Sequence, residues 1–359
     1  MKTDYPVAII GAGPYGLSLA NHLTYNNTPF IILGKPMSLW KRHTFNSMNL
    51  RSDYATSEIC HPTGQFGFER FCSDFRIPLN DIKGQLPVTV FRNYIDWCQS
   101  QFTFPISQQM VINLRKTNDG FFIKTDQNES FTAKKVVVAT GIAHHLYIPN
   151  ELKNHPSVVH GYHTRRIESI RKQNVLVVGA GQSAAESIAV LKENNNSVEW
   201  YTRRNPIYFS EPLNIPKWLF NQVIRLPRFI RILNPLLIQK LFALFSSTTV
   251  TPNFKSVLET VFRHRTLPKL EQYDTVVAAT GYRYNLGELS FIKQSLKSSI
   301  RQHNNYPMVS PSFETSVPGL FFLGAITEPF FGPPMKFMIG ARYSSAVLAR
   351  ALYSVQYDS

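Results

Sequence analysis

Two glycine-rich segments have the spacing that brings a polypeptide backbone against a phosphate. Gly11-Ala12-Gly13-Pro14-Tyr15-Gly16 matches G-x-G-x-x-G and lies between a short apolar run, Val7 to Ile10, and a helical face of Leu17, Ala20 and Leu23. The motif carries weight only in that strand–turn–helix context. Its first glycine permits a tight turn, its second lets the main chain approach a pyrophosphate, and its third lets helix and strand pack closely. The helix N-terminus then offers unpaired N–H groups and a positive dipole end to the phosphates. Gly179-Ala180-Gly181-Gln182-Ser183-Ala184 repeats the arrangement after the apolar run Asn174 to Val178, with alanine in the third glycine's place. Two such turns predict two dinucleotide sites in one chain.

The residues that end the second strand of each unit decide which nucleotide fits. An acidic residue there normally binds the adenosine ribose. The first unit has Gly34-Lys35 instead, and Lys35 is read either as a contact to the pyrophosphate or adenosine or as a solvated lysine. The second unit has Thr202-Arg203-Arg204, and arginine in that place suits the extra 2′-phosphate of NADPH. A solvated pair of arginines is the bland alternative.

The elements that must position these turns follow from hydrophobic periodicity. Phe30 to Leu33 reads as a buried strand, and residues 35–87 as a long irregular segment of the kind that is usually functional. Val88, Phe91, Ile95, Cys98 and Phe102 step by three and four as in an amphipathic helix. Met110 to Thr117 and Phe121 to Thr125 read as a hairpin around Asn118-Asp119-Gly120. Val136 to Gly141 is a further buried strand, echoed by Thr275 to Gly281; both end in Ala-Thr-Gly. Leu320 to Leu323 is a strand and Lys336 to Leu352 a mostly apolar closing helix. The pattern predicts an α/β protein with two Rossmann-like dinucleotide-binding domains. The first is discontinuous, over residues 1–155 and 270–359, and the second, 156–269, is inserted into it.

Composition bounds the partners. The 359 residues carry 38 Lys and Arg against 23 Asp and Glu, a net charge of +15 that favours anionic ligands without choosing among them. No zinc-finger spacing, RNA-recognition signature or Lys/Arg block accompanies it, so nucleic acid is not expected as a partner. Three scattered cysteines, Cys60, Cys72 and Cys98, form no Cys-x-x-Cys and no disulfide framework. His144, His145, His160 and His163 have no metal spacing or nucleophile beside them and read as surface loop histidines. The N-terminal apolar run holds Asp4 and three glycines, so it does not read as a signal peptide, and no stretch is long enough to span a membrane. A cytoplasmic enzyme is the expectation.

On these motifs the chain resembles the glutathione-reductase-like flavoproteins along essentially its whole length. Within that group Val178 to Glu186 is similar to the second turn of ornithine and lysine N-hydroxylases. Gly13-Pro-Tyr-Gly-Leu-Ser18, Gly34-Lys-Pro-Met37, Trp40 and Met48-Asn-Leu-Arg-Ser52 resemble an N-hydroxylase-like branch of the single-component flavin-dependent monooxygenases. The resemblance implies FAD at the first turn and NADPH at the second. NADPH would reduce FAD, dioxygen would add to the reduced flavin, and the flavin hydroperoxide would pass one oxygen atom to a small organic substrate. It further implies that Trp40 and the Met48–Ser52 stretch lie beside the flavin, with Leu50 and Ser52 on FAD together with Val111, Ala139, Thr140, Gly141, Gly324 and Met335. Thr280 and Gly281 would join Gly179, Gly181, Gln182, Ser183, Ala184, Arg203 and Arg204 on NADPH. No catalytic side chain is assigned, because the hard chemistry of such enzymes belongs to the cofactor. The amino-acid-recognition segment of the N-hydroxylases and the Baeyer–Villiger signature are both missing, so neither an amino acid nor a ketone is expected as substrate. A reductase passing electrons to a quinone or protein, and a membrane-bound flavin sensor, are the alternative readings.

Residues 212–250 form a basic apolar insertion in which Trp218, Phe220, Ile224 and Phe229 interleave with Lys217, Arg225, Arg228 and Arg231. No acid occurs from Pro212 to Thr251. The segment reads as a substrate-pocket lid, a packing or dimer surface, or a peripheral membrane contact. Arg203 and Arg204 make the sharpest sequence prediction: NADPH should serve far better than NADH in steady-state kinetics, and equal service by both would sink the arginine reading.

Overall fold

The computed structural model describes residues 5–204, 207–211, 222 and 249–354. Its two sheets follow from the two sets of apolar runs. The first has six strands, in the order Phe30–Leu33, Tyr5–Ile10, Ser130–Val138, Gly120–Thr125 and Val111–Thr117, with Leu320–Phe322 also paired to Ser130–Val138. Ile9 lies between Ile32 and Val137 in parallel register, and Phe321 faces Val137 from the far side. Strands covered on both faces must be apolar throughout, which is why Val7 to Ile10 shows no alternation.

Ser130–Val138 begins six residues earlier than its apolar core implied. Residues 130–133 pair antiparallel with Gly120–Thr125, and residues 136–138 pair parallel with Leu320–Phe322. The first half is half-buried and carries Thr132, Lys134 and Lys135, so hydrophobicity alone hid it. The second sheet is wholly parallel, in the order Phe262–His264, Ser197–Tyr201, Asn174–Val178, Thr275–Ala278 and Val158–His160.

The two halves repeat one atomic contact. Gly11, at φ +115°, is placed so that a Cβ would lie 2.3 Å from the carbonyl oxygen of Ala139. Gly179, at φ +152°, stands at the same 2.3 Å from the oxygen of Ala279. Each first glycine is therefore required by the alanine of an Ala-Thr-Gly strand end.

The irregular segment is ordered because buried side chains take up its backbone groups. Cys60 donates from its N–H to Ser18 Oγ (3.0 Å) and accepts at its carbonyl from Asn21 Nδ2 (3.0 Å), both on the helix Pro14–Tyr25. Tyr94 donates to the Phe66 carbonyl (2.7 Å) and accepts from the Ile59 N–H (2.8 Å). Glu58 accepts from the Phe68 N–H (2.8 Å) and pairs with Arg342 of the closing helix. Short helices, Ser38–Arg42 and Phe68–Phe75, break up this stretch.

The closing helix runs Ile339–Ser354 and does not begin at Lys336. Pro333–Lys336 is a separate 3-10 turn and Phe337 is extended. The Tyr15 hydroxyl lies 2.8 Å from the carbonyls of both Met335 and Phe337, which diverts those acceptors from a continuous helix. Leu348, Ala349 and Leu352 then close one core with Leu17, Leu19 and Leu23.

The segment His43 to Arg51 joins the two sheets. The His43 ring stacks on Tyr162 at 3.9 Å and its Nδ1–H donates to the Tyr162 carbonyl (3.2 Å). Phe45 is 2% exposed and sits in the core beneath the second sheet, with Val159, Ile167 and Ile188. The Asn46 N–H donates to Glu168 Oε1 (3.1 Å).

The expectation of surface histidines is corrected at two positions. His145 and His160 are 2% and 4% exposed. His160 Nε2 donates to the Gly281 carbonyl (3.0 Å), and its Nδ1 accepts from the Tyr162 N–H (3.0 Å). Burial, with His144 beside it, pushes the His145 imidazole down to about 4. Both rings are thus neutral packing groups at the crossing between the sheets. Of the basic apolar insertion, residues 212–221 and 223–248 lie outside the described residues. Among the described residues no helix is long and apolar enough to cross a membrane.

Phe45→Ala should destabilise the protein by about 3–5 kcal/mol, the usual cost of emptying a buried phenylalanine site. Chemical denaturation of the flavin-loaded chain measures it, and a loss within experimental error of zero would show that Phe45 does not tie the sheets together.

Candidate functional site

Both glycine turns open onto cavities at the carboxyl ends of their strands. The first cavity, of about 480 Å³, is lined by Gly11, Ala12, Gly13, Pro14 and Tyr15, by Lys35, Trp40, Leu50, Ser52 and Val111, and by Ala139, Thr140, Gly141, Gly324 and Met335. These positions were all expected at FAD. Gly16 alone of that set lies behind the wall, where a Cβ would meet the Gly11 oxygen at 1.9 Å; its role is helix–strand packing.

The first cavity fits an anionic dinucleotide on two observations. A Cβ at Gly13 would have nothing within 4 Å, so the protein itself gives no steric reason for a glycine there. What requires it is the close approach of a ligand. Lys35, Arg42 and Lys336 line the cavity, and among the described residues no carboxylate does. Arg42, His43, Ser57 and Phe291 had not been singled out in the sequence, whereas Lys336 ends the Gly332-Pro-Pro-Met-Lys336 turn that the resemblance brings towards the flavin. The four missed residues come from loops and short helices whose approach depends on tertiary packing. Lys336 Nζ is held 3.0 Å from Glu328 Oε1.

The second cavity, of about 1070 Å³, is lined by Gly179, Gly181, Gln182, Ser183, Arg203, Arg204, Thr280 and Gly281 among the expected positions. Ala184 does not line it; at 1% exposure it packs in the core below. Tyr147, Glu151, Tyr208 and Leu267 complete the wall and had no sequence signal. Thr280 Oγ1 donates to the Tyr147 carbonyl, and the Arg283 guanidinium lies 3.5 Å over the Tyr147 ring. Two arginines and the glycine N–H groups on this lining fit a dinucleotide with an additional phosphate.

Behind Gln182 lies a buried carboxyl. Glu186 is 8% exposed, and its Oε1 accepts from Gln182 Nε2 (3.0 Å). Burial pushes the carboxyl up to about 7, against the smaller opposing pull of the Gln182 hydrogen bond and the Arg51 charge.

The family model described as pyridine nucleotide-disulphide oxidoreductase matches residues 8–324. The chain belongs to this family. It is 30% identical over 202 residues to an uncharacterized CzcO-like oxidoreductase of Geobacillus kaustophilus, covering 54% of this chain and 53% of that protein. It is 30% identical over 203 residues to the "Probable indole-3-pyruvate monooxygenase YUCCA1" of Arabidopsis thaliana, covering 53% of this chain and 45% of that one. The chain thus spans about half the length of these curated relatives. Among solved structures, an ornithine N-hydroxylase of Kutzneria sp. 744 with reduced FAD, NADP⁺ and L-ornithine is similar over 99% of this chain and 100% of that one. Its TM-score is 0.80 at 16% identity. The expected α/β fold with two Rossmann-like units is borne out.

Glu186 makes a signed prediction. Its folded-state carboxyl titrates above its ordinary value of 4.5, so between that value and about 7 the folded chain holds a proton the unfolded chain releases. Stability from this group is complete at low pH and is lost as pH rises through the window, by on the order of 3 kcal/mol. Urea midpoints for wild type and Glu186→Gln between pH 5 and 8 should differ by that slope; parallel curves would remove Glu186 as its source.

Proposed function

We propose that the protein is an NADPH-dependent FAD monooxygenase that transfers one atom of dioxygen to a small organic substrate. The observation that carries this reading is the full-length likeness to an ornithine N-hydroxylase, joined to two cavities without a cysteine on either lining. A dithiol route for electrons needs a cysteine pair beside the flavin. Cys60, Cys72 and Cys98 are buried and free instead.

On this reading FAD, when bound, supplies the redox and oxygen chemistry. The chain's own residues bind, orient and exclude water. Gly11 to Tyr15 and the N-terminus of Pro14–Tyr25 take the FAD pyrophosphate, with Lys35 and Arg42 adding positive charge. Trp40, Leu50, Ser52 and Met335 shape the flavin end. Gly179, Gly181, Gln182 and Ser183 take the NADPH pyrophosphate, and Arg203 and Arg204 its 2′-phosphate. Ala139 to Gly141 and Thr280 to Gly281 mark the crossings between an FAD domain, residues 1–155 with 270–359, and an NADPH domain of residues 156–269.

Stopped-flow absorbance tests the reaction class. After anaerobic reduction of the FAD-loaded chain by NADPH, mixing with oxygen should give a lasting intermediate absorbance before the oxidised spectrum returns. Immediate reoxidation with release of free hydrogen peroxide, together with fast electron transfer to a quinone or ferredoxin, would make the protein a reductase.

A further inference from the structure

Arg51 stands between the two cavities and lines neither. Its neighbours Leu50 and Ser52 line the first cavity. Its guanidinium turns the other way, where Nη1 donates to the Thr249 carbonyl (2.9 Å) and Nη2 to Thr249 Oγ1 (2.8 Å) and Ser210 Oγ (3.3 Å). Those partners form a stem: Tyr208–Phe209 pairs in parallel with Thr249–Val250, and the Ser210 N–H donates to the Val250 carbonyl (3.0 Å). Two residues beyond Thr249, the Thr251 N–H donates to Gln182 Oε1 (3.0 Å), and Gln182 Nε2 donates to Thr251 Oγ1 (3.1 Å). Gln182 opens the helix after the second glycine turn and lines the second cavity. A path of hydrogen bonds and short backbone steps thus runs from Gln182 on the wall of one cavity, through Thr251 and Thr249, to Arg51 between two residues of the other wall.

The chemistry of the link favours arginine. One planar fork meets a carbonyl and two hydroxyls at once, whereas a lysine presents a single point charge. The Arg51 Nε–H is buried with no acceptor among the described residues, a cost that a purely structural position would avoid. Glu186, which accepts from the same Gln182, acts on Arg51 from the second domain through its charge.

We propose that Arg51 is a positioning residue that couples the two cofactor sites. A nicotinamide dinucleotide seated against Gln182 fixes Thr251 and the Thr249–Ser210 stem, and Arg51 carries that change to Leu50 and Ser52 on the flavin wall. The inference rests on the two-cofactor reading above and adds a path by which one site senses the other. Coupling of this kind is a property of free energies and is read by comparing states.

The test uses the full chain loaded with FAD and titrated with NADP⁺. Calorimetry gives the NADP⁺ affinity, the flavin difference spectrum gives the response at the other site, and anaerobic reduction by saturating NADPH gives the working rate. In Arg51→Met the NADP⁺ affinity should stay within about threefold of wild type, while the spectral response falls by about half or more and the reduction rate falls about tenfold. Arg51→Lys should recover part of both. Thr251→Val, which removes the hydroxyl at the other end of the link, should act in the same direction, and the double variant should be no worse than the poorer single one. Full spectral amplitude and an unchanged reduction rate in Arg51→Met would overturn the proposal, as would independent, additive effects of the two substitutions. Should Arg51→Met lose its flavin, Arg51→Lys and Thr251→Val decide instead, and wild-type responses in both overturn it. A wild-type chain that binds no NADP⁺ would overturn the two-cofactor reading, and the coupling with it.

Discussion

The structure depends on a contact made twice, between a glycine that ends the first strand of a unit and the carbonyl of an alanine that ends its neighbour. Gly11 against Ala139 and Gly179 against Ala279 leave no room for a Cβ, and both glycines have positive φ. Because the backbones touch there, the helix that follows begins directly above the strand ends and points its free N–H groups outward. The next glycine, Gly13, then faces empty space. At the first turn a tight contact below and open space above are what a phosphate cradle requires.

The second constraint is that the two cradles be held at a fixed distance. Residues 40–52 do this by facing two ways. Trp40, Leu50 and Ser52 line the first cavity, whereas Phe45 fills the core of the second sheet and Arg51 grips the stem of the insertion. His43 on Tyr162, and His160 on Gly281, finish the crossing. The segment has no regular periodicity because its side chains serve two domains in turn. Irregularity in sequence here reflects a double allegiance, and burying these polar rings with matched partners avoids the cost of orphaned donors.

The chemistry asked of the side chains is modest and consistent with their types. Among the described residues the first cavity carries cations and no carboxylate, as a pyrophosphate requires, and the second carries paired arginines just after its second strand. No acid–base dyad was expected and the cavities are built from backbone glycines, apolar walls and charge. Oxygen or hydride chemistry on a bound flavin needs position and dryness more than a nucleophile. Tyr15 adds to that rigidity by tying the first glycine turn to the 335–337 carbonyls on the opposite wall.

The two glycine turns, the strands that precede them, the Ala-Thr-Gly echoes and the arginines that end the second unit were legible from the residues alone. These are local signals: glycine spacing, short apolar runs and a charged residue at a fixed offset are legible because the backbone geometry that needs them spans only a few residues. Tertiary structure alone decided that Gly16 and Ala184 pack rather than line, that His145 and His160 are buried, and that Ser130–Val138 starts early to hold a hairpin and a parallel strand on one edge. It also decided that Arg42, Tyr147, Glu151 and Tyr208 share walls with residues over a hundred positions away in several cases. The physical reason is that a side chain's surroundings are set by which surfaces the sheets bury against one another. Arg51 is the clearest instance: its place in the Met48–Ser52 stretch put it beside the flavin, and packing turned its guanidinium the other way, onto Thr249 and Ser210.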